Sequence, residues 1–215
     1  MKKSRIHMLH LWLFFLPIAL SIVCGCSEDQ GGIDTQTVEG NVSMNLPLEG
    51  ATVSFYSVEG FPITTASTTT SELGNFYSTD APDFVQFVIV VRGGNFDGNP
   101  FDGTLKYWVD GRDSDFYSVN SLTTLIAEYE QEHPELTSDM IYEDIRRFLE
   151  IPSYVPLEYV MQNSDINSAY FDEALFLQEA SQYGYDSFMA MLLEEIAIGE
   201  THPFRVGTLL SLIHI

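Results

Sequence analysis

Hydrophobic and polar residues alternate along the first half of the chain in the way that β-strands require. Ala51, Val53 and Phe55 occupy every second position, with Thr52 and Ser54 between them. That period of two predicts a strand with one buried face.

Three further segments of this half predict strands and a turn. Residues 84–91 are apolar almost throughout, which indicates a central strand covered on both faces. Leu105, Tyr107 and Val109 line a later strand by the same alternation. Gly74 stands between two short strand patterns, where a turn needs a residue that accepts positive φ. The sequence therefore predicts several antiparallel strands.

After Asn120 the apolar residues recur at intervals of three and four, which is typical of helices. We expect helical segments within 121–132, 138–149, 157–161, 171–183 and 186–198. Asn120 or Ser121 is suited to cap the first helix. The predicted caps of the later helices are Thr137 or Ser138 for the second and Asp186 or Ser187 for the last.

The change of period divides the folded part into two predicted domains and gives the fold class α+β. Residues 38–118 form the strand-rich domain, and residues 119–205 form a small helical bundle. Residues 26–37 are mostly polar and contain glycine, a composition that predicts a flexible tether before the first domain.

A family resemblance lies in the strand-rich half, in the ordered motif Gly40-x-Val42, Pro47-Leu48-x-Gly50-Ala51-x-Val53, Thr70 and Gly74-x-Phe76. It resembles the carboxypeptidase regulatory-like, transthyretin-like β-sandwich. The resemblance implies an antiparallel, Ig-like sandwich that acts as a non-catalytic module of secreted and surface proteins. Such a fold hosts many roles, so it brings no activity with it.

The N-terminus combines three basic residues, Lys2, Lys3 and Arg5, with an uncharged run over 11–23. As a helix that run would be only about 20 Å long, against roughly 30 Å of bilayer hydrocarbon, so we expect residues 1–25 to be removed as a signal peptide. Small Gly25 precedes Cys26, which resembles the cleavage position of bacterial lipoproteins. The resemblance implies that Cys26 becomes the first residue and carries the acyl chains that anchor the protein to the membrane.

Acylation has consequences for location and for cysteine chemistry. Cys24 leaves with the signal peptide and Cys26 is consumed, so no disulfide is expected. Ser27 follows the acylated cysteine where lipoproteins retained at the inner membrane carry aspartate. In a bacterium with two membranes, this pattern predicts an anchor in the outer membrane of the cell envelope.

The chain is strongly acidic, with a formal net charge of −22 at pH 7. Loss of the signal peptide removes three basic residues and no acidic ones, so the mature chain is more negative still. This charge excludes nucleic acid as a natural partner, since binding phosphates needs a basic face. It favours a well-solvated exterior, or an affinity for cations such as calcium.

Two acidic loops offer oxygen ligands for calcium. Asn95, Asp97, Asn99 and Asp102 lie in a glycine-rich stretch, although the same residue types also make ordinary turns. Asp110, Asp113 and Asp115 form a second, weaker candidate, because Arg112 supplies a charge of the opposite sign. Calcium is the only cofactor that the sequence suggests.

Catalytic patterns are missing from the sequence, so we do not expect an enzyme. His133 and His202 each stand beside a proline and are expected at the surface, which leaves no cluster of imidazoles for zinc. No Gly-x-Ser-x-Gly motif provides a nucleophile. Acidic pairs such as Glu143-Asp144 and Glu194-Glu195 are expected to face water.

The last residues, 210–215, resemble the translated end of a sequencing adapter. We therefore treat 206–215 as an unreliable tail, and expect the natural protein to continue past residue 209.

Three functions are compatible with these features. The leading one is a lipid-anchored binding or display module of the cell envelope, with another envelope protein or a glycan as partner and Trp108 as the candidate contact residue. The alternatives are an N-terminal fragment of a larger surface enzyme whose catalytic domain is missing, and a calcium-stabilised structural spacer.

Overall fold

The computed structural model describes residues 35–63, 67–83, 86–111, 116–162 and 169–205, in which the strands precede the helices. The strands are β1 (Thr35–Met44), β2 (Leu46–Glu49), β3 (Thr52–Tyr56), β4 (Thr68–Thr69), β5 (Asn75–Pro82), β6 (Gln86–Arg92), β7 (Asn95–Phe96), β8 (Asn99–Pro100), β9 (Thr104–Asp110) and β10 (Phe116–Val119). The helices are α1 (Ser121–Glu132), α2 (Ser138–Phe148), α3 (Leu157–Gln162), α4 (Glu173–Tyr183) and α5 (Tyr185–Ala197). The mixed α and β content that the sequence predicted is confirmed.

One sheet has the strand order β4-β3-β6-β9, with antiparallel pairing throughout. Its central strand β6 buries the side chains of residues 87–91, as the continuous apolar run predicted. Val53 and Phe55 of β3 are fully buried, whereas Thr52 is exposed and Ser54 is half-buried, so the alternation there is confirmed as well.

In the second sheet β1 lies between β5 and β10, and its end continues through β2 to β7 and β8. The β1–β10 pair is parallel, with Glu39 opposite Phe116 and Val42 opposite Val119. The prediction of a purely antiparallel arrangement is therefore wrong at this pair. The physical reason is that β10 reaches β1 from β9, a strand of the other sheet, so no hairpin turn fixes its direction.

The inner faces of the two sheets pack against each other through aromatic residues. The ring of Phe87 on β6 lies 6.4 Å from that of Tyr117 on β10, edge to face. Gly40 on β1 makes room for this packing, because the ring of Phe76 and the backbone of Tyr117 both lie directly over its Cα. Gly74, at φ 75°, forms the predicted turn and leads into β5.

Helix α1 covers the outer edge of β9. The hydroxyl of Thr124 accepts a hydrogen bond from the backbone N–H of Lys106 at 2.9 Å, and the hydroxyl of Thr123 donates to its carbonyl at 2.9 Å. An unpaired strand edge is thereby satisfied by helix side chains. Strands and helices also share one hydrophobic cluster, and the described residues all belong to one compact unit. The domain boundary after residue 118 stays a prediction.

The first two predicted caps are found where the sequence placed them. Asn120 caps α1 in a reciprocal pair of hydrogen bonds with Thr123, and Thr137 caps α2.

The predicted cap of the last helix is wrong. Gly184 is the N-cap of α5, Ser187 lies inside the helix, and the carboxylate of Asp186 accepts from the backbone N–H of Thr104 at 3.0 Å. Asp186 fixes the start of β9 to the helical half instead of capping its own helix.

Candidate functional site

The residues predicted for lipid attachment and for the second acidic loop lie largely outside the described ranges. Cys26 is among residues 1–34, and Asp113 and Asp115 are among residues 112–115. Asp110 is described, and its carboxylate accepts from Gln86 Nε2 at 2.9 Å and from Ser138 Oγ at 3.0 Å.

The first calcium candidate is a β-hairpin. Asp97 and Gly98 form its turn at φ 49° and 75°, and Asn99 Nδ2 donates to the Asp97 carbonyl at 3.1 Å. This pair has the positive φ values that a tight hairpin turn between β7 and β8 requires. Asn95 precedes the turn and Asp102 follows it. Turn formation accounts for these residue types, and calcium binding stays a prediction.

No group of three or more His, Cys, Asp or Glu side chains suited to a metal ion occurs among the described residues. Within the same residues, no helix combines the length and the apolar character needed to cross a bilayer.

His202 has a structural position that the sequence did not indicate. Its Nδ1 lies 2.9 Å from a Glu195 carboxylate oxygen and its Nε2 lies 3.0 Å from one of Glu179, while its ring stacks on Phe204 at 4.7 Å. The side chain is 25% exposed, so His202 reaches the surface as expected but is half-buried there. The contacts hold the segment after α5 against α4 and α5.

The most distinctive exposed feature is a row of three side chains across β5, β1 and β10. Glu39 is the registered partner of Tyr77 on one side and of Phe116 on the other. Registered partners project from the same face of a sheet. Tyr77 is 55% exposed and Phe116 is 53% exposed, and Glu39 is also exposed. We call this set, Tyr77, Glu39 and Phe116, the aromatic row.

A polar row runs beside the aromatic row, two residues further along the strands. Asn41 is the registered partner of Asn75 on β5 and of Ser118 on β10. Its Nδ2 donates to Asn75 Oδ1 at 3.0 Å and to the Leu73 carbonyl at 2.9 Å, which fixes the amide in place. Amide and hydroxyl groups therefore stand next to the two aromatic rings on the outer face of this sheet.

An open groove of about 580 Å³ adjoins both rows. Its other wall is the segment from Thr68 to Ser71, which carries four hydroxyl groups in succession. Thr70 is buried, and the neighbouring residues are at least partly exposed. A groove of this size lined by hydroxyl, amide and carboxylate groups beside aromatic rings fits a polar ligand that also has apolar faces.

Sequence reasoning missed the aromatic row because its members are far apart along the chain. In the sequence, Tyr77 and Phe116 occupy ordinary outward-facing positions of two separate strands. Only the pairing of β1 with both β5 and β10 places them on either side of Glu39. The spacing between neighbouring strands then places the backbones of Tyr77 and Phe116 roughly 10 Å apart.

Trp108 lines a second, smaller cavity, of about 110 Å³. It is half-buried, while its neighbour Tyr107 points inward and is buried, so the predicted difference between these two residues is confirmed. The remaining wall comes from the segment after β9, from β10, and from Tyr142 on α2 and Glu158 on α3.

Two buried carboxyl groups have strongly raised pKa values. Burial raises the pKa of Glu130 to about 7, and the nearby Asp110 carboxylate adds to the rise. Ser138 Oγ lies 3.0 Å from Asp110 and 3.2 Å from Glu130, and its single hydrogen serves only one of them. A proton on Glu130 satisfies the second contact.

The other group is Glu173, whose pKa burial raises to about 7 against the opposing hydrogen bonds from Ser121. The Ser121 backbone N–H donates to Glu173 Oε1 at 3.0 Å, and Tyr185 donates to the Ser121 hydroxyl at 3.0 Å. Among the described residues, Oε2 of Glu173 has no hydrogen-bond partner. The side chain joins the starts of α1, α4 and α5.

Comparison with known proteins adds no assignment to this geometry. No protein-family model matches the chain, and a search of curated proteins found no significant match.

Proposed function

We propose that this protein is a lipid-anchored component of the bacterial cell envelope, with its anchor in the outer membrane, and that its strand-rich half is a glycan-binding module. The leader, Cys26 and the polar segment after it support the anchor. The aromatic row beside the groove is the observation that carries the binding role.

The fold that goes with this proposal is a carboxypeptidase regulatory-like sandwich of the Ig-like type, followed by a small helical bundle. Contacts between the motif residues support it. The Thr70 hydroxyl accepts from the Ala51 N–H at 2.9 Å and donates to the Leu48 carbonyl. The Val42 N–H donates to the Gly74 carbonyl at 2.9 Å. Each separate part of the motif thus contacts another part.

The chemistry of the aromatic row favours a glycan over a protein partner. A pyranose ring has C–H groups on its faces and hydroxyl groups around its edge, so it can stack on Tyr77 or Phe116 and donate a hydrogen bond to Glu39. The core of a protein interface is depleted in charged residues, since an unpaired buried carboxylate is costly. The position of Glu39 between the two rings is therefore better suited to a sugar.

Anchoring strengthens this role. A single shallow site with two exposed rings binds one chain segment weakly, whereas many anchored copies at one surface bind a long polysaccharide at several points. The second and later contacts form at high effective concentration, which raises the overall affinity without any new contact type.

Binding to a panel of immobilised bacterial and plant polysaccharides tests this proposal. We expect the protein to retain at least one glycan, and Tyr77→Ala and Phe116→Ala each to weaken that binding about tenfold, because each variant loses a stacking surface. Both side chains are more than half exposed, so stability should change by less than about 0.5 kcal/mol.

The matched controls are Phe61→Ala and Tyr154→Ala, which remove exposed aromatic rings elsewhere, at 70% and 81% exposure. These variants should bind like the unaltered protein. Retention of no glycan, or equal losses in the control variants, contradicts the proposed binding face.

A further inference from the structure

We propose that the aromatic row binds a neutral, extended polysaccharide of β-1,4-linked pyranose residues, with the sugar chain running across the strands from Tyr77 to Phe116. The choice of glycan rests on the glycan-binding role already proposed for this face. It follows from the positions that the register of β5, β1 and β10 gives to the three side chains of the row.

The two rings and the carboxylate project from one face of three paired strands. Phe76 on β5 and Tyr117 on β10 are buried in the core, and each is next in sequence to an exposed ring. Because side chains alternate across a sheet, Tyr77 and Phe116 both project from the outer face. Glu39 stands between them on β1, as the registered partner of both. A ligand that lies across these strands therefore meets a ring, a carboxylate and a second ring in that order.

The spacing along the row matches the repeat of an extended β-1,4-linked chain. Neighbouring strands lie about 4.8 Å apart, so Tyr77 and Phe116 are separated by roughly 10 Å at the backbone. A pyranose residue that is linked through equatorial bonds at both ends has nearly the length of one strand spacing. Alternate residues of such a chain also face the same way, since each residue is turned over relative to the one before. The first and third sugar residues can therefore stack on the two rings while the second lies over Glu39.

The twist of the sheet favours a single sugar chain over a flat crystalline surface. Each strand is rotated by about 20–25° relative to its neighbour, so the outward directions at Tyr77 and Phe116 differ by roughly 45°. A single chain can follow this rotation through small changes at its linkages. A flat array of packed chains cannot, and it would contact only one of the two rings.

The charge of the site favours neutral sugars. The Glu39 carboxylate accepts hydrogen bonds from the hydroxyl groups of the second residue, whereas a uronic acid there would bring two carboxylates together. The whole chain carries a formal net charge of −22, so a polyanion is repelled at longer range as well. Asn75 and Ser118 of the polar row lie beside this path and offer an amide and a hydroxyl group to a neutral sugar.

NMR titration with cello- and manno-oligosaccharides of two to six residues tests this class of ligand. A disaccharide reaches only one ring and a trisaccharide reaches both, so the affinity of at least one series should rise about tenfold between these lengths. Malto-oligosaccharides should show no such step, because their α-1,4 linkages coil the chain. The same β-1,4-linked oligosaccharides with their hydroxymethyl groups oxidised to carboxylates should bind at least about tenfold more weakly.

Two variants connect the length dependence to the row. Tyr77→Ala and Phe116→Ala should each remove the step, so that a trisaccharide binds no better than a disaccharide. Phe61→Ala, which loses an exposed ring elsewhere, should keep it.

The proposal is overturned if the unaltered protein shows no step, if malto-oligosaccharides show an equal one, if the oxidised oligosaccharides bind equally well, or if the step persists in Phe116→Ala. When the polysaccharide panel still retains a glycan in such a case, the glycan-binding role stands and only the choice of a neutral, extended chain fails. A protein that retains no glycan at all overturns both.

Discussion

The free energy of unfolding should rise as the pH falls from 8 to 5, and Glu173 is expected to be a major cause. Its pKa is about 7 in the folded protein, against 4.5 for an ordinary glutamate. Between these two values the folded state holds a proton that the unfolded state has released. The contribution of Glu173 to stability is therefore complete only below pH 4.5, and it is lost as the pH rises through this interval.

The expected size of this effect is roughly 3 kcal/mol for Glu173 between pH 5 and pH 8, from about 1.4 kcal/mol for each pH unit of difference. Glu130 has the same direction of pKa shift and adds to the trend. Repulsion among the many other carboxylates also lowers stability as the pH rises. The pH dependence of the unaltered protein therefore does not isolate the contribution of Glu173.

The variant Glu173→Gln isolates it, because glutamine has nearly the same shape, stays neutral and can still accept from the Ser121 N–H. We expect this variant to match the unaltered protein at pH 5 and to be about 2–3 kcal/mol more stable at pH 8. Urea unfolding at a series of pH values measures the difference. The exposed-site variant Glu200→Gln serves as control and should keep the original pH slope. A stability difference between Glu173→Gln and the unaltered protein that does not grow with pH would falsify this account of Glu173.

Replacement of Gly40 by alanine should destabilise the protein by about 3 kcal/mol. A Cβ atom at this position would lie 2.3 Å from the Tyr117 carbonyl oxygen and 2.4 Å from two ring atoms of Phe76. Rotation of Phe76 would relieve only one of these contacts. The other is with the backbone of β10, which is hydrogen-bonded to β1, so the sheet itself has to shift.

Urea unfolding monitored by circular dichroism measures this loss as a lower midpoint. Gly60→Asn is the control, since nothing lies within 4 Å of a Cβ there and asparagine tolerates the φ of 86°. We expect the control to lose less than about 1 kcal/mol. Equal losses at the two positions would show that the packing of β5, β1 and β10 around Gly40 is looser than described.

Local features of the fold could be predicted from the sequence because they depend on residues close together in the chain. The alternation at Val53 and Phe55, the apolar run of β6 and the capping residues Asn120 and Thr137 are all features of this kind. Each of these features depends on burial within a single strand or on hydrogen bonds within the first turn of a helix.

Features that depend on distant residues could not be predicted in this way. The aromatic row depends on the parallel pairing of β1 with β10, which sets Glu39 opposite Phe116. These two strands come from opposite ends of the strand-rich half. Asp186 had the sequence of a helix cap, but Thr104, 82 positions away, engages its carboxylate instead. Trp108 was a candidate from the sequence, whereas Tyr142 and Glu158 join it only through the packing of α2 and α3.

Attachment of lipid at Cys26 is the claim on which the proposed envelope location depends. Growth of expressing bacteria with radioactive palmitate tests it directly, with Cys26→Ser and Cys24→Ser compared against the unaltered chain. We expect label and membrane association in the unaltered chain and in Cys24→Ser, and neither in Cys26→Ser. A chain that takes up no palmitate, or a Cys26→Ser variant that stays equally membrane-bound, would contradict the account.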